Sequence, residues 1–481
     1  MTLEQTLRAF SPRYRARPVP FLSLAVYAGV LALWVTAVAG AWLFSGVFAW
    51  TAGLVYVAYD TWLLVHVARK TAFILRPASC PAVTLEHAPS LAILIAARDE
   101  RDALPATLDA LYAQNDLPDE IVIVDDGSTD DTLELLSERY GLPRAARGGS
   151  MVRSAADPRL CLISVEAGGK AGALNVAIAQ LSAEVVVTVD ADTRLEPQAI
   201  AAVRRAFGAE AALVAACGVL TPTCRPGGSG ALFEWFQTYE YVRAFISRIA
   251  WMQTHALLLV SGAFAAFRRD ALITVGGFDA QCLVEDYEVL HRLHRYGYER
   301  GIDWRVRVLG AARGTTEAPG TLMSFLRQRR RWFAGFLQTQ YWNRDMTANP
   351  RYGSLGRVML PIKAVDTLQP IYGLTAFVLL VLFAVTANLH VLLPVLAVIL
   401  TKVVVDLLFY LWWVRLYSRW LGERLTARRL SMAALAALAE PFSFQLLRHT
   451  GAAWGWLAFL SGRLVWGHPT STVEAAARKA S

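Results

Sequence analysis

The chain has 481 residues, 55% of them hydrophobic and only 18% charged, a balance that excludes an ordinary soluble protein and places part of it in lipid. The formal net charge of +8 is carried by basic residues beside apolar runs, Arg8, Arg13, Arg15 and Arg17 before the first and Arg424, Arg428 and Arg429 after the fourth. That is the pattern of positive-inside bias and anionic lipid, and no nucleic-acid module is visible, so membrane lipids are expected as partners and nucleic acid is not.

In chain order, the first feature is a charge-free run from Pro18 to Tyr59. It is too long for one crossing, since about 20 residues span the hydrocarbon core. A hairpin is expected instead, with one helix near residues 19–40, a turn at 45–46 and a second helix ending near 67. A signal peptide would be shorter and would carry a cleavage site. The leading arginines put the N-terminus in the cytoplasm, and Arg69 and Lys70 return the chain there.

Residues 90–318 change character: short apolar runs alternate with helical patterns, as in an α/β sheet with crossover helices. Strands are expected at 91–96, 121–124 and 184–189, with helices at 102–114 and 171–181. Ligands of such sheets bind beyond the carboxyl ends of the strands, and two acidic clusters stand there: Asp125-Asp126-Gly127-Ser128-Thr129-Asp130 and Asp190-Ala191-Asp192. Paired carboxylates suit Mg²⁺ or Mn²⁺ held against a diphosphate, whose departing charge the ion stabilises. Each motif alone has a plainer reading, a polar loop for Asp-x-Asp and a turn with a helix cap for Asp126-Gly-Ser-Thr.

Gly168-Gly169-Lys170 precedes a helix and offers backbone approach and a cation to phosphate, or is simply a glycine-rich loop. Glu285-Asp286, after Gly276-Gly277-Phe278-Asp279, opens a helical pattern and supplies either dipole-complementing acids or a general base for an acceptor hydroxyl. Gln328-Arg329-Arg330-Arg331-Trp332 lies in a basic amphipathic stretch, readable as an interfacial helix with an aromatic anchor. A second charge-free run, 367–401, predicts helices near 365–387 and 391–414. Lys402 and Asp406, one turn apart, are either a mutually neutralising pair or part of a polymer or lipid pathway. Residues 430–460, interrupted by Glu440, Pro441, Arg448 and His449, allow one crossing, a re-entrant pair or interfacial helices. The cysteines (Cys80, Cys161, Cys217, Cys224, Cys282) are odd in number without CxxC spacing, so free thiols are expected rather than disulfides or a metal site.

The order and spacing of Asp125-Asp126, Asp190-Ala-Asp192, Glu285-Asp286 and Gln328-x-x-Arg331-Trp332 resemble the D, DxD, ED and QxxRW series of membrane family-2 glycosyltransferases. That group includes cellulose, chitin, hyaluronan and poly-N-acetylglucosamine synthases. Ala97-Arg98-Asp99-Glu100, Gly169-Lys170-x-Gly-Ala-Leu-Asn175, Ser261-Gly262-Ala263-Phe264 and Thr316-Glu317-Ala318-Pro319 agree, so the likeness covers roughly residues 90–345. It implies an α/β GT-A domain inserted between transmembrane helices, with a nucleotide-diphospho-sugar donor, most often UDP-linked. Ala97, Arg98, Asp125 and Asp126 would hold the nucleobase and ribose, and Lys170 would lie near the donor. Asp190 and Asp192 would bind the diphosphate through Mg²⁺ or Mn²⁺, and Arg331 would contact it. Asp286, beside Glu285, would be the base that gives inversion. Gln328, Trp332, Gly262 and Phe264 would shape the acceptor site.

The implied division is a cytoplasmic N-terminus with a transmembrane hairpin (1–70), a cytoplasmic GT-A domain (71–318), interfacial helices with QxxRW (319–362), a transmembrane region (363–460) and a cytoplasmic tail (461–481). The resemblance implies a multi-pass inner-membrane enzyme that extends and exports a polysaccharide. Single transfer to a lipid acceptor and a vestigial membrane receptor or scaffold are the competing functions. Three departures stand out. Val284 occupies the place of the family's frequent threonine, no domain sensing cyclic di-GMP is expected, and Arg424-x-x-x-Arg428 stands alone. The stretch Trp466-Gly467-His468-Pro469-Thr470 resembles a tail seen in several members.

Overall fold

The structure, a computed structural model, describes residues 2–76, 87–144 and 146–463. Cys80 and the stretch 466–470 lie outside the described residues.

A mixed sheet of nine strands forms the centre of the water-facing part: β1 Leu91–Ala97, β2 Glu120–Asp126, β3 Val152–Arg153, β4 Leu160–Val165, β5 Val185–Val189, β6 Thr193–Leu195, β7 Leu213–Thr223, β8 Phe264–Arg268 and β9 Arg305–Glu317. Their order is β3-β4-β2-β1-β5-β8-β7-β9-β6. Strands β4, β2, β1 and β5 run parallel, so their carboxyl ends share one edge. Both faces of these strands are covered, which is why β1 and β5 read as unbroken apolar runs rather than as alternation. Leu91, Ile93, Leu94, Ile123 and Val187 have no exposed surface and form the heart of the core.

Among the described residues, four helices are long and apolar enough to cross a membrane: Phe21–Leu43, Gly46–Leu75, Leu355–Val385 and Leu389–Trp420. The expected hairpins are therefore present, with a 3-10 turn over Gly46–Trp50 where the first reversal was placed. Trp50 Nε1 donates to the Ala376 carbonyl at 2.8 Å and Trp34 Nε1 to Thr375 Oγ1 at 3.3 Å, tying the first pair to the third helix.

The ambiguous stretch near the end folds as two segments, Ala427–Phe442 and Phe444–Leu460, bent by 49°. Its polar residues answer one another: Glu440 accepts from Arg448 at 2.6 Å and from Arg243 at 3.1 Å. The second segment runs along the helix Leu322–Trp342, close enough that Gly451 meets Arg329 and Gly455 meets Phe333. Lys402 pairs with Asp406, as the one-turn spacing allows, and also with Asp60 Oδ2 at 2.7 Å from another helix. The charge is shared by two spans rather than neutralised within one.

The N-terminal helix Leu3–Phe10 packs on the sheet domain. Gly276, at φ +89°, leaves room for its close approach, because a Cβ there would sit 2.6 Å from the Leu7 Cα. Arg13 Nη1 then bonds Asp279 Oδ1 at 2.9 Å. Cys161, Cys217, Cys224 and Cys282 are free thiols, as composition led one to expect.

Candidate active site

The crevice lies at the carboxyl edge of β1, β2 and β5 and is closed by the first turn of the helix Glu285–Arg300. Three acids crowd that turn, Glu285, Asp286 and Glu288, complementing its exposed amides and dipole. Asp286 is half-buried. The Gly262 amide donates to its Oδ2 at 2.7 Å and the Tyr287 amide to its Oδ1 at 2.8 Å, which fixes the carboxylate. Glu285 is buried, and burial pushes its carboxyl up from the ordinary glutamate range, opposed by Lys170.

Lys170 opens the helix Lys170–Gln180 and forms an ion pair with Asp190 at the end of β5. It also donates to the Gly262 carbonyl at 3.2 Å and lies 4.0 Å from Glu285 Oε1. Burial pulls its pKa down, but Asp190 and Glu285 outweigh it and hold the ammonium at about 12. Lys170, Asp190, Gly262, Glu285 and Asp286 thus come from four separate segments into one contact network.

Asp192 stands across the turn from Asp190. Its Oδ1 accepts from Thr316 Oγ1 at 3.3 Å and Thr193 Oγ1 at 3.4 Å, hydroxyls that β6 and β9 bring together. Burial, then the negative charges of Asp190 and Glu317, push Asp192 up to about 6. Burial, with Asp192 and Asp190, pushes Glu100 up to about 7. Four carboxylates repel one another here, a repulsion that a divalent cation relieves. Among the described residues no three acidic, histidine or cysteine groups form a complete metal cage. A pair of carboxylates with further positions open to phosphate oxygens is nonetheless a donor set that suits Mg²⁺ or Mn²⁺.

At the neighbouring strand end, Asp126 Oδ1 accepts from the Gly168 amide at 2.8 Å and its Oδ2 from the Gly169 amide at 3.0 Å, fastening the glycine loop. Arg98 is exposed beside it, and Ala97 offers only backbone. Two of the expected residues turn inward. Asp125 is fully buried, accepting from the Ser128 amide at 3.0 Å and Ser164 Oγ at 2.8 Å, and so braces the turn. Phe264 is fully buried with its ring over Gly218, because the first residue of β8 points into the sheet's core; it supports the site from beneath.

The helix Leu322–Trp342 brings up the basic motif. Arg331 Nη1 donates to the Leu283 carbonyl at 3.4 Å and adds positive potential near Glu285. Trp332 lies under the Arg329 guanidinium at 4.4 Å, and Arg329 is anchored by two 2.8 Å bonds to Glu240. Gln328 has its Oε1 buried without a donor among the described residues. Sequence reasoning missed the support from Thr193 and Glu240, and it named Gly262 for the acceptor site without its bond to Asp286. Thr316 and Glu100 sat in motifs that were noted without a role.

Models of two related families match the chain, glycosyl transferase family 2 over residues 92–276 and glycosyl transferase family group 2 over 185–417. The poly-beta-1,6-N-acetyl-D-glucosamine synthase of Staphylococcus aureus (strain MSSA476) is 28% identical over 288 residues, 60% of this chain and 61% of that protein. The enzyme of the same name from Staphylococcus epidermidis is 27% identical over 268 residues, covering 54% and 58%. The match therefore spans about three-fifths of the length of these curated relatives. Among solved structures, a mannosyltransferase from Pyrobaculum calidifontis, in complex with GDP-Man and Mn²⁺, shares the fold. Its TM-score is 0.54 at 21% identity, over 82% of this chain and 98% of that one.

Proposed function

We propose that the chain, which matches models of glycosyl transferase family 2 and family group 2, moves a sugar from a nucleotide-diphospho-sugar, UDP-linked, onto the hydroxyl end of a growing polysaccharide. The observation that carries this reading is the junction at Gly262. Its carbonyl meets Lys170, which pairs with the donor-side Asp190, and its amide meets Asp286 on the acceptor side.

In this mechanism Asp286 removes the acceptor's proton as its oxygen attacks the anomeric carbon from the side opposite the leaving diphosphate, giving inversion. Asp190 and Asp192 would hold a divalent ion, which when bound would offset charge on that diphosphate. Lys170 and Arg331 place further positive charge near the same end. Ala97, Arg98 and Asp126 receive the nucleoside, while Gln328 and Trp332 form the acceptor wall with the Gly262 backbone. Asp192 is kept in place by the Thr193 and Thr316 hydroxyls.

The catalytic domain faces the cytoplasm of a multi-pass inner-membrane protein, as the arginines before Phe21 support. Extension is processive and coupled to export. The test is nucleotide release by purified, lipid-reconstituted protein across UDP- and GDP-sugars with Mg²⁺ or Mn²⁺, starting with UDP-N-acetylglucosamine, the sugar in the relatives' name. A long product supports the proposal. A singly glycosylated lipid as sole product replaces it with single transfer. No release with any donor, from folded protein, favours a vestigial receptor.

A further inference from the structure

Away from the crevice, a cavity of about 490 Å³ opens where the N-terminal segment meets the far end of the catalytic helix. Its walls include Arg15, Arg17 and Pro18, then Glu299 and Arg300 from the last turn of Glu285–Arg300, and Arg351 from the turn Pro350–Tyr352. Four guanidiniums face one carboxylate. That carboxylate is already committed. Glu299 pairs with Arg17, accepts from the Tyr352 hydroxyl at 3.0 Å, and lies 3.8 Å from buried Arg295.

Arg15, Arg300 and Arg351 have no acidic partner among the described residues. Like charges gathered around one hollow repel, and a bound anion relieves that cost. The adjoining helix end carries about half a negative charge, which three unpaired guanidiniums outweigh. Their planar forks suit phosphate oxygens in particular.

The position narrows the source of that phosphate. Pro18 stands three residues before the helix Phe21–Leu43, so the hollow is within about 10 Å of the hydrocarbon edge. The first turns of that helix expose Phe21, Leu22 and Leu24, large apolar side chains that demand lipid. A headgroup in the cavity would run its acyl chains along them.

We propose that this cavity binds the phosphate of an anionic phospholipid headgroup in the leaflet beside the catalytic domain. The bound lipid joins three segments: the N-terminal strap, the interfacial turn at Arg351, and the helix whose other end carries Glu285 and Asp286. That helix has 16 residues and spans about 24 Å, so the lipid reports to the active site through one rigid element. A free phosphate in solution offers the same oxygens without the chains.

Native mass spectrometry of the detergent-purified full chain distinguishes the sources, with phosphatidylglycerol, phosphatidylcholine or inorganic phosphate added. The wild type is expected to retain phosphatidylglycerol roughly tenfold over phosphatidylcholine. The double variant Arg15→Gln, Arg351→Gln is expected to lose that preference, while keeping every ion pair of the parent. A charge-matched control, Arg144→Gln with Arg205→Gln, both exposed elsewhere, is expected to keep it. Equal retention of the two lipids by the wild type overturns the proposal, as does undiminished preference in the Arg15 and Arg351 variant. Displacement of the lipid by millimolar inorganic phosphate overturns the lipid assignment in favour of a soluble anion. None of these readouts involves sugar transfer, so failure here leaves the glycosyltransferase reading untouched.

Discussion

The backbone amide of Gly262 donates to Asp286 Oδ2 at 2.7 Å, while an ideal Cβ on Gly262 would sit 3.1 Å from that same oxygen. The residue serves as a donor and as a clearance; any residue but proline could donate, and it is the clearance that favours glycine. Gly262→Ala is expected to lower kcat about tenfold with little change in donor KM, because the base is displaced by a few tenths of an ångström. Steady-state kinetics at varied donor concentration checks this, and an unchanged kcat would remove Gly262 from the positioning role.

Asp286→Asn keeps the size and, through its single carbonyl oxygen, one of the two accepted amide bonds, but cannot take a proton. Transfer is expected to fall by about 10²–10⁴-fold or more, with nucleotide binding retained. Titration calorimetry with UDP, run beside the transfer assay, separates the two effects. Normal turnover in folded protein would eliminate Asp286 as the base.

Metal-dependent nucleotide binding is expected to weaken as pH falls through about 6. Burial and the charges of Asp190 and Glu317 raise the Asp192 carboxyl to that value, so below it the group is protonated and a divalent ion must expel the proton. Above it the carboxylate is free and affinity levels off. Binding of UDP with Mn²⁺ between about pH 5 and about pH 8 tests the sign. Thr316→Val, which removes a hydroxyl donated to Asp192, should move the midpoint upward.

Glu288 and Arg292 form a pair with no exposed surface, and Arg292 also donates to the Gly277 carbonyl at 2.7 Å. Removing one partner strands the other charge in the core. Arg292→Ala is expected to destabilise the catalytic domain by about 3–5 kcal/mol, seen as a lower thermal midpoint in detergent. Replacing both residues with apolar ones of similar size should restore much of the loss.

How far the sequence could be read depended on where each signal is written. Strands β1, β2 and β5 are buried on both faces, so unbroken apolar runs announce them. The β9 strand alternates buried residues with Arg305, Arg307 and Arg313 and so gives no plain run, whereas β7 is apolar and buried over 213–220, a run that periodicity alone does not assign to a strand. The order of motifs marked the chemical residues, but not which neighbour turns inward: Asp125 and Asp126 look alike in sequence and differ only in what meets them in space. The partnership of Lys402 with Asp60 spans 342 positions, and no local period encodes it.

The contact between Arg13 and Asp279 has a bearing on biogenesis. Its partners are 266 residues apart, and ribosomes add about 5–20 residues per second, so the N-terminal strap waits roughly 13–50 s before its seat exists. For that interval the nascent chain presents a short amphipathic helix tethered to a freshly inserted hairpin, with the membrane surface as its only nearby host. The strap therefore docks only after the first span is anchored, at a stage when Leu355–Val385 and Leu389–Trp420 have still to be made.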